Sequence, residues 1–381
     1  MKIYDTIIIG AGAGGLMAAA QLKTRKKSVL ILDMGDKPAR KIAISGGGNC
    51  NFTNTHADYT HYFGKNSRFV MSALNQFSPQ NTLDWIKSHK IKYVEREPGR
   101  YFCQNGANEV INALLHDIGN TEIKYNTNVT DIEKSNDKFI IQTNNGDFSA
   151  QSVIIASGGV SYPHLGVSNI GHVIAKKFGH KIEPVRPALC AIKTKAFDST
   201  LAGISVPVII AVNKHKILGD LLFTHFGIGG PAVYRATLIN PKQMIINFAP
   251  GTDLFALLKS AKQTNGKKSV VNTIGEFLPN KLAHFLCDDT RNIADLRDSE
   301  LKTIADKINH FVINDGTAIG LQSAEVTFGG VSCDKISSKT MESKLCSGLF
   351  FVGETMDITG DLGGYNIQWA FASGFVAGNN A

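Results

Sequence analysis

The sequence predicts an α/β protein built on a buried, largely parallel sheet whose chain is split by a two-part insertion. Three observations predict it. Isoleucine-rich runs at Ile3 to Ile9 and Val29 to Leu32 flank a glycine turn and a stretch of helix-forming composition. Two later apolar runs, Val153-Ile154-Ile155-Ala156 and Leu349-Phe350-Phe351-Val352, also end in glycine turns. Between those two lies a region of different style, first β-rich and then helical. Continuous apolar strands suit a parallel sheet covered on both faces.

Each element follows in order. Strand, Gly10 to Gly15, helix over 14–26 and strand ending at Asp33 make one βαβ unit. A glycine- and asparagine-rich stretch runs from Lys41 to Asn54. Helical patterns occupy 67–89 and 107–118, and strand patterns 121–133, 138–143 and 148–155. Composition shifts near Pro184 and Pro187, after which Ala191 to Thr194, Val206 to Val212 and Met244 to Phe248 read as strands. From Asp253 to Ile313 the pattern is helical and mixed in charge. The expected domains are 1–185, the first part of a cofactor domain; 186–250, a β-rich, barrel-like substrate domain; 251–318, a small helical domain; and 319–381, the second part of the cofactor domain.

Bulk properties narrow the class. A chain of 381 residues suggests two or three domains. With 43% hydrophobic and 19% charged residues it reads as an ordinary globular chain, and no apolar run is long enough to span a bilayer. The N-terminus enters a strand pattern directly and lacks the regions of a signal peptide, so a cytoplasmic location is expected. The six cysteines contain no Cys-x-x-Cys or closely spaced pair and read as reduced, separate thiols. A flavin disulfide reductase is thereby not expected. The net charge of +8 favours anionic ligands such as a dinucleotide, an anionic substrate or RNA. The lysines and arginines are scattered and not interleaved with aromatics, so nucleic acid is not expected as a partner. No membrane partner is expected, and the sequence does not give the oligomeric state.

The chemistry sits in the glycine turns. Gly10-Ala11-Gly12-Ala13-Gly14-Gly15 is a G-x-G-x-x-G between a strand and a helix. Gly10 permits the tight turn, Gly12 lets the backbone approach a pyrophosphate, and Gly15 lets the helix pack on the strand. The helix N-terminus offers free N–H groups to phosphate. Asp33, ending the next strand, accepts from ribose hydroxyls and repels a 2′-phosphate. These residues say dinucleotide without choosing one. Three later features choose FAD. Ser45, Gly46, Gly47, Gly48, Asn49 and Asn51 form a flexible loop able to lay N–H groups on a flavin or pyrophosphate. Ser157, Gly158 and Gly159 give a close backbone crossing. Gly353 and Glu354, then Asp361, Gly363, Gly364, Tyr365 and Asn366, precede a helical pattern, whose free N–H groups aimed at the flavin would stabilise the reduced, anionic ring. Met34, Lys41 and Val129 complete the expected cofactor contacts.

These motifs together resemble the bacterial FAD-dependent oxidoreductase family that includes the bile-acid flavoprotein and the aminoacetone-oxidase-like enzymes. The matching stretches are Gly10 to Gly15, Lys41 to Asn54, Ala156 to Gly166, Leu221 to Pro231, Thr327 to Val331 and Gly348 to Trp369. The resemblance implies a split two-dinucleotide-binding-type, glutathione-reductase-like FAD domain, with an inserted β-rich domain and a small helical domain. This chain departs from the family pattern at three places: Asn49 stands where arginine is common, Gly229 where serine is usual, and Leu362 where threonine is usual.

The expected function is an oxidoreductase in which non-covalent FAD exchanges a hydride with a small organic substrate. Only one good G-x-G-x-x-G is present, so NAD(P)H, if used, should visit the flavin face transiently. A reductase and an O2-using, aminoacetone-like amine oxidase are the two enzyme variants. A flavin-containing RNA-associated or RNA-modifying protein is the alternative of another class. A flavin-binding protein without turnover is a third. His225, in Leu222-Phe223-Thr224-His225, is the acid/base candidate, because a histidine titrates near neutrality; its other reading is a brace for the turn. Tyr365 is a second catalytic candidate, with packing as its other reading. The histidines form no metal-binding spacing, so no metal is expected, and no nucleophile-elbow serine is present.

Overall fold

A computed structural model describes residues 2–381. Its contacts divide the chain into two compact units, one of Met1–Pro187 with Leu321–Ala381 and one of Ala188–Gly320.

The first unit is a mixed α/β domain of the Rossmann type. Strand β1 (Ile3–Ile9) leads through helix α1 (Ala13–Thr24) to β2 (Val29–Leu32). Strand β3 (Asn51–Asn54) and helix α2 (Pro79–Ser88) follow, then the hairpin β4 (Tyr93–Glu97) and β5 (Arg100–Cys103), helix α3 (Asn108–Ile118) and strand β6 (Glu122–Lys124). Next come β7 (Val129–Ser135), β8 (Lys138–Thr143) and β9 (Phe148–Ile155). After the second unit the chain returns with β10 (Leu349–Phe351) and ends in helix α4 (Tyr365–Asn380). The main sheet runs β6-β2-β1-β9-β8-β7, with β10 also paired to β9. Strands β6, β2, β1, β9 and β10 are parallel, while β7, β8 and the first half of β9 form an antiparallel meander. A smaller sheet, β3-β5-β4, carries the glycine-rich stretch. The middle of β1 and β9 is fully buried at Ile7, Ile8, Val153, Ile154 and Ile155, as continuous apolar strands between two layers must be.

Several expected elements are redrawn. The helix expected over 67–89 is broken: one helix spans Met71–Gln76 and α2 starts at Pro79. Proline at the first helical position lacks the N–H that continuation would need, and Ser78 closes a capping box with Asn81. The strand pattern over 121–133 becomes β6 and β7, which lie at opposite edges of the sheet.

The second unit is an antiparallel sheet of seven strands with helices. Its order is Phe311–Ile313, Met244–Asn247, Ser205–Val212, His215–Thr224, Gly227–Gly229, Ile192–Lys193 and Thr317–Ala318. Two of these strands come from the stretch expected to be helical, so the β-rich and helical segments share one sheet. They also share one core, in which Phe197 stacks on Phe311 at 4.9 Å and Phe223 on Phe248 at 6.2 Å.

In the first unit, α1 and α4 approach until their backbones touch. A Cβ on Gly374 would lie 3.0 Å from the Gly14 Cα and closer still to its carbonyl oxygen, and one on Gly378 would lie 2.9 Å from the Ala18 Cα. The Gly374→Ala variant should therefore lose stability. Overpacking against backbone costs about 1–3 kcal/mol or more, against a gain of roughly 1 kcal/mol in helix propensity. A lower midpoint in thermal unfolding of the apoprotein is the expected result.

Candidate functional site

The chain leaves β1 toward β2 on one side, while β9 lies on the other, so the end of β1 is a topological switch point. Gly10 (φ +112°) sits there, and a Cβ on it would collide with the carbonyl of Ala156 at the end of β9. Gly15 is pressed against the Gly10 carbonyl, with Ala156 Cβ at 3.2 Å from where its own Cβ would be. Gly12 is different. Its backbone is extended (φ −82°, ψ −173°), and a Cβ there would meet nothing within 4 Å. It is the N-cap of α1, which has no side-chain cap and no acid in its first turn. A residue that any side chain could replace in the folded protein is glycine beside an uncapped helix end. That is the cradle a pyrophosphate needs.

Asp33 is 7% exposed at the end of β2. Its Oδ2 accepts from the Ala11 N–H at 2.6 Å, and its Oδ1 from the Gly35 N–H at 2.8 Å. Arg40, which sequence reasoning missed, donates to the same Oδ1 at 2.9 Å and to the Leu165 and Gly166 carbonyls. Asp33 thus keeps acceptor capacity for a ribose while Arg40 closes the far side of the turn. Met34 is half-buried next to it, and Val129 is buried at the start of β7.

A second cradle forms where the glycine-rich loop meets α4. Gly46, Gly47 and Gly48 all have positive φ, and at Gly47 and Gly48 a Cβ would again meet nothing within 4 Å. Ser45 donates to the Ile42 carbonyl at 2.8 Å and fixes the start of this turn. The Asn49 carbonyl accepts from the Cys103 N–H at 2.9 Å. The Asn51 amide links the loop to α4: its oxygen accepts from the Gly364 N–H at 3.2 Å and its nitrogen donates to the Tyr101 carbonyl at 3.1 Å. Asn54 donates to the Gly363 carbonyl at 2.9 Å, and Arg100 to the Leu362 carbonyl at 3.3 Å. Asn366 folds back on its own turn, accepting from the Gly360 N–H at 2.8 Å, and the Asp361 N–H donates to the His61 carbonyl. No side chain caps α4.

The crossing at 157–161 joins these cradles. Gly158 (φ +73°) has open space at its Cβ position and donates to Thr355 Oγ1 at 3.0 Å. The Val160 and Ser161 N–H groups donate to Thr327 Oγ1 at 2.8 and 3.0 Å. Gly159 is packed against Thr327 and Glu354, whereas the Ser157 hydroxyl is turned toward Gly171 of the next helix. Lys41 donates to Glu354 at 2.6 Å and to Ser161 at 2.8 Å. Burial alone would raise the Glu354 carboxyl, but the Lys41 charge and hydrogen bond and the Thr327 N–H at 2.7 Å bring it below the usual range. Gly353 donates to Ser373 at 2.9 Å, and its carbonyl accepts from the Trp369 indole at 3.1 Å.

The two catalytic candidates fall in different settings. Tyr365 is 5% exposed, with its ring stacked on His61 at 4.8 Å and its carbonyl accepting from the Tyr62 hydroxyl. Its surroundings are those of a packing residue. His225 is exposed on the turn between His215–Thr224 and Gly227–Gly229 in the second unit. The cysteines need a correction. Cys50 and Cys103, far apart in sequence, are brought side by side by the pairing of β3 with β5. Both are buried, and the Cys103 thiol is raised far above its usual value, chiefly by its hydrogen bond to Cys50. They are not separate.

Geometry and sequence converge on one family, and the HI0933-like protein Rossmann domain matches residues 4–380. The chain belongs to the HI0933-like family. It is an FAD-dependent oxidoreductase. It is 38% identical over 388 residues to the ribosomal RNA dihydrouridine synthase of Haemophilus influenzae, covering 98% of this chain and 97% of that one. It is 30% identical over 403 residues to the 3-dehydro-bile acid delta(4,6)-reductase of Clostridium scindens, covering 98% of each. Among solved structures, the 3-ketosteroid-delta4-(5alpha)-dehydrogenase of Rhodococcus jostii shares the fold, with a TM-score of 0.50 at 13% identity over 100% of this chain and 96% of that one. No helix among the described residues is long and apolar enough to cross a membrane.

The Gly12→Val variant should fold, with an apoprotein melting temperature lowered only slightly by the poorer N-cap, and yet lose FAD, read as loss of flavin absorbance after gel filtration. Gly364→Val tests less, because a Cβ there would strike the Thr53 backbone at 2.5 Å and the φ is +93°. A variant at Gly12 that keeps stoichiometric FAD would show that the pyrophosphate does not sit on α1.

The loop also predicts a pH dependence. Asp357, 3% exposed, is pushed up to about 6 by burial, with Glu183 and Asp334 adding repulsion and the Lys65 N–H and charge opposing it. A carboxyl raised in the folded state binds its proton more tightly there than in the unfolded chain. Its contribution is therefore greatest below about pH 4 and is lost as pH rises to about 6, an effect of up to about 3 kcal/mol. Asp357→Asn should raise the melting temperature at pH 7.5 and have a much smaller effect at pH 4.

Proposed function

We propose that this chain reduces the 5,6 double bond of uracil bases in RNA to give dihydrouridine. The observation that carries the proposal is end-to-end similarity to the ribosomal RNA dihydrouridine synthase of Haemophilus influenzae. The net charge of +8 is consistent with a polyanionic substrate. This reading takes the RNA alternative in place of the small organic substrate that the sequence put first. Similarity to the bile-acid reductase favours a second reading, a small conjugated enone. Both are one reaction class, in which a carbon–carbon double bond conjugated with a carbonyl takes a hydride at one carbon and a proton at the other.

Bound FAD would supply the hydride, recharged by NAD(P)H as a transient donor. The chain's own residues hold and polarise. The α1 N-terminus and Gly12 would hold the pyrophosphate, and Asp33 the ribose. The N–H groups of the 45–49 loop and of the α4 N-terminus would face the ring, where their positive ends favour the anionic reduced state. Lys41 and Glu354 offset each other and fix the crossing at Ser161. For the proton we propose His225, an exposed imidazole whose ring nitrogens can donate and accept.

The test is anaerobic incubation with NADH or NADPH and either unmodified ribosomal RNA or a dienone steroid, read by mass spectrometry. A gain of two hydrogens on uridine supports the RNA reading, and a gain on the steroid alone moves the substrate to the second. No gain on either, from protein whose flavin is reduced, removes the reaction class. His225→Gln should lower turnover by about 10²–10⁴-fold while leaving flavin reduction by the nicotinamide unchanged.

A further inference from the structure

We propose that His89, His116 and Asp117 form a binding site for a late first-row divalent cation, Zn2+ foremost. Nothing in the flavin site or the proposed reaction uses these residues. His89 is the C-cap of α2, and His116 and Asp117 stand in the last turn of α3. The His89 Nε2 lies 3.0 Å from Asp117 Oδ1, and the His116 Nδ1 lies 3.3 Å from the same oxygen. One ligand atom from each residue falls within 4.8 Å of the other two. With bonds of 2.0–2.2 Å, a tetrahedral Zn2+ has ligand–ligand edges of about 3.4 Å. Two edges of the cluster are near that length already, and the third closes by a small rotation of His116, whose side chain is 79% exposed.

Three further features fit a cation. The other Asp117 oxygen accepts from the Trp85 indole at 2.7 Å, which orients the carboxylate, and His89 Nε2, 3.2 Å from that oxygen and 3.0 Å from Oδ1, would exchange the carboxylate for the ion. Two helices of 10 and 11 residues end here, and carbonyl ends carry partial negative charge. The donor set of two imidazoles and one carboxylate is soft enough for Zn2+, Co2+ or Ni2+ and poor for Mg2+. Three protein ligands leave a fourth position for water.

Such an ion would clasp the ends of α2 and α3. Helix α2 sets Thr82 on Gln368 at 2.7 Å and the Trp85 ring against Phe371 at 5.6 Å, both on α4, and α3 packs on α1. The clasp would therefore brace the two helices behind those that carry the cofactor cradles.

The experiment uses the full chain with FAD, stripped with EDTA, and isothermal titration with ZnCl2, CoCl2 and MgCl2. Wild type should take up one more equivalent of Zn2+ than His116→Ala, a variant at an exposed side chain that spares the fold. Zn2+ should raise the wild-type melting temperature and not that of the variant. Co2+ should give ligand-field bands only in wild type, and Mg2+ should not bind. Trp85→Phe keeps all three ligands and should weaken Zn2+ about 10–100-fold. Equal Zn2+ stoichiometry and affinity in wild type and His116→Ala would overturn the proposal.

Discussion

The first unit depends on one contact, the backbone-to-backbone crossing of α1 and α4. Gly374 faces Gly14 and Gly378 faces Ala18, so the helices run parallel, with their N-termini pointing the same way. They do not start at the same level. Counting back from the contact, α4 extends beyond α1 by about eight residues, or roughly 12 Å at 1.5 Å per residue. Two uncapped helix ends, staggered along one direction, make a site for an extended molecule with negative charge at two places. A pyrophosphate on α1 and a reduced flavin ring on α4, joined by a ribityl arm, is such a molecule. A residue larger than glycine at Gly374 or Gly378 would separate the helices and move one cradle relative to the other.

Polar bracing holds α4 in that register. Gln368 is fully buried, yet every polar atom of its side chain is used: its oxygen accepts from Thr53 at 2.6 Å and Thr82 at 2.7 Å, and its nitrogen donates to the Phe77 carbonyl at 3.0 Å. An unpaired amide in this place would cost several kcal/mol, so the network specifies position as well as stability. Trp369, the next residue, and Ser373, one turn beyond it, tie the same helix to Gly353. These links reach across more than three hundred residues in one case, from Thr53 to Gln368.

That reach explains what the sequence did and did not disclose. The βαβ unit, the buried strands and the glycine turns were legible because each is written in neighbouring residues: periodicity, a strand end, a helix start. Arg40, Thr327, Thr355 and Gln368 carry no local mark. Their parts come from partners far along the chain, as when Thr327 braces Val160 and Ser161. The Cys50–Cys103 pair was hidden for the same reason, since spacing in sequence says nothing about strands that pair from distant parts of the chain. The helix over 67–89 was misread because its apolar period continues through Pro79, while backbone chemistry does not. Strands at Phe311–Ile313 and Thr317–Ala318 were missed because they are short and follow helical composition; the sheet they join supplies what propensity does not.

The glycines themselves divide into two kinds, and the division reaches further than the motif. At Gly10, Gly15, Gly159, Gly364 and Gly374 the protein forbids a side chain, because its own backbone or packed side chains occupy the Cβ position. At Gly12, Gly47, Gly48 and Gly158 it does not, since the space is open. Three of these four need glycine for a positive φ, but Gly12 needs it for nothing in the folded chain. The fold therefore accounts for most of the G-x-G-x-x-G and leaves one glycine over. A bound molecule pressed against the N-terminus of α1 accounts for that one, which makes Gly12 the residue where the demands of folding and of cofactor binding separate.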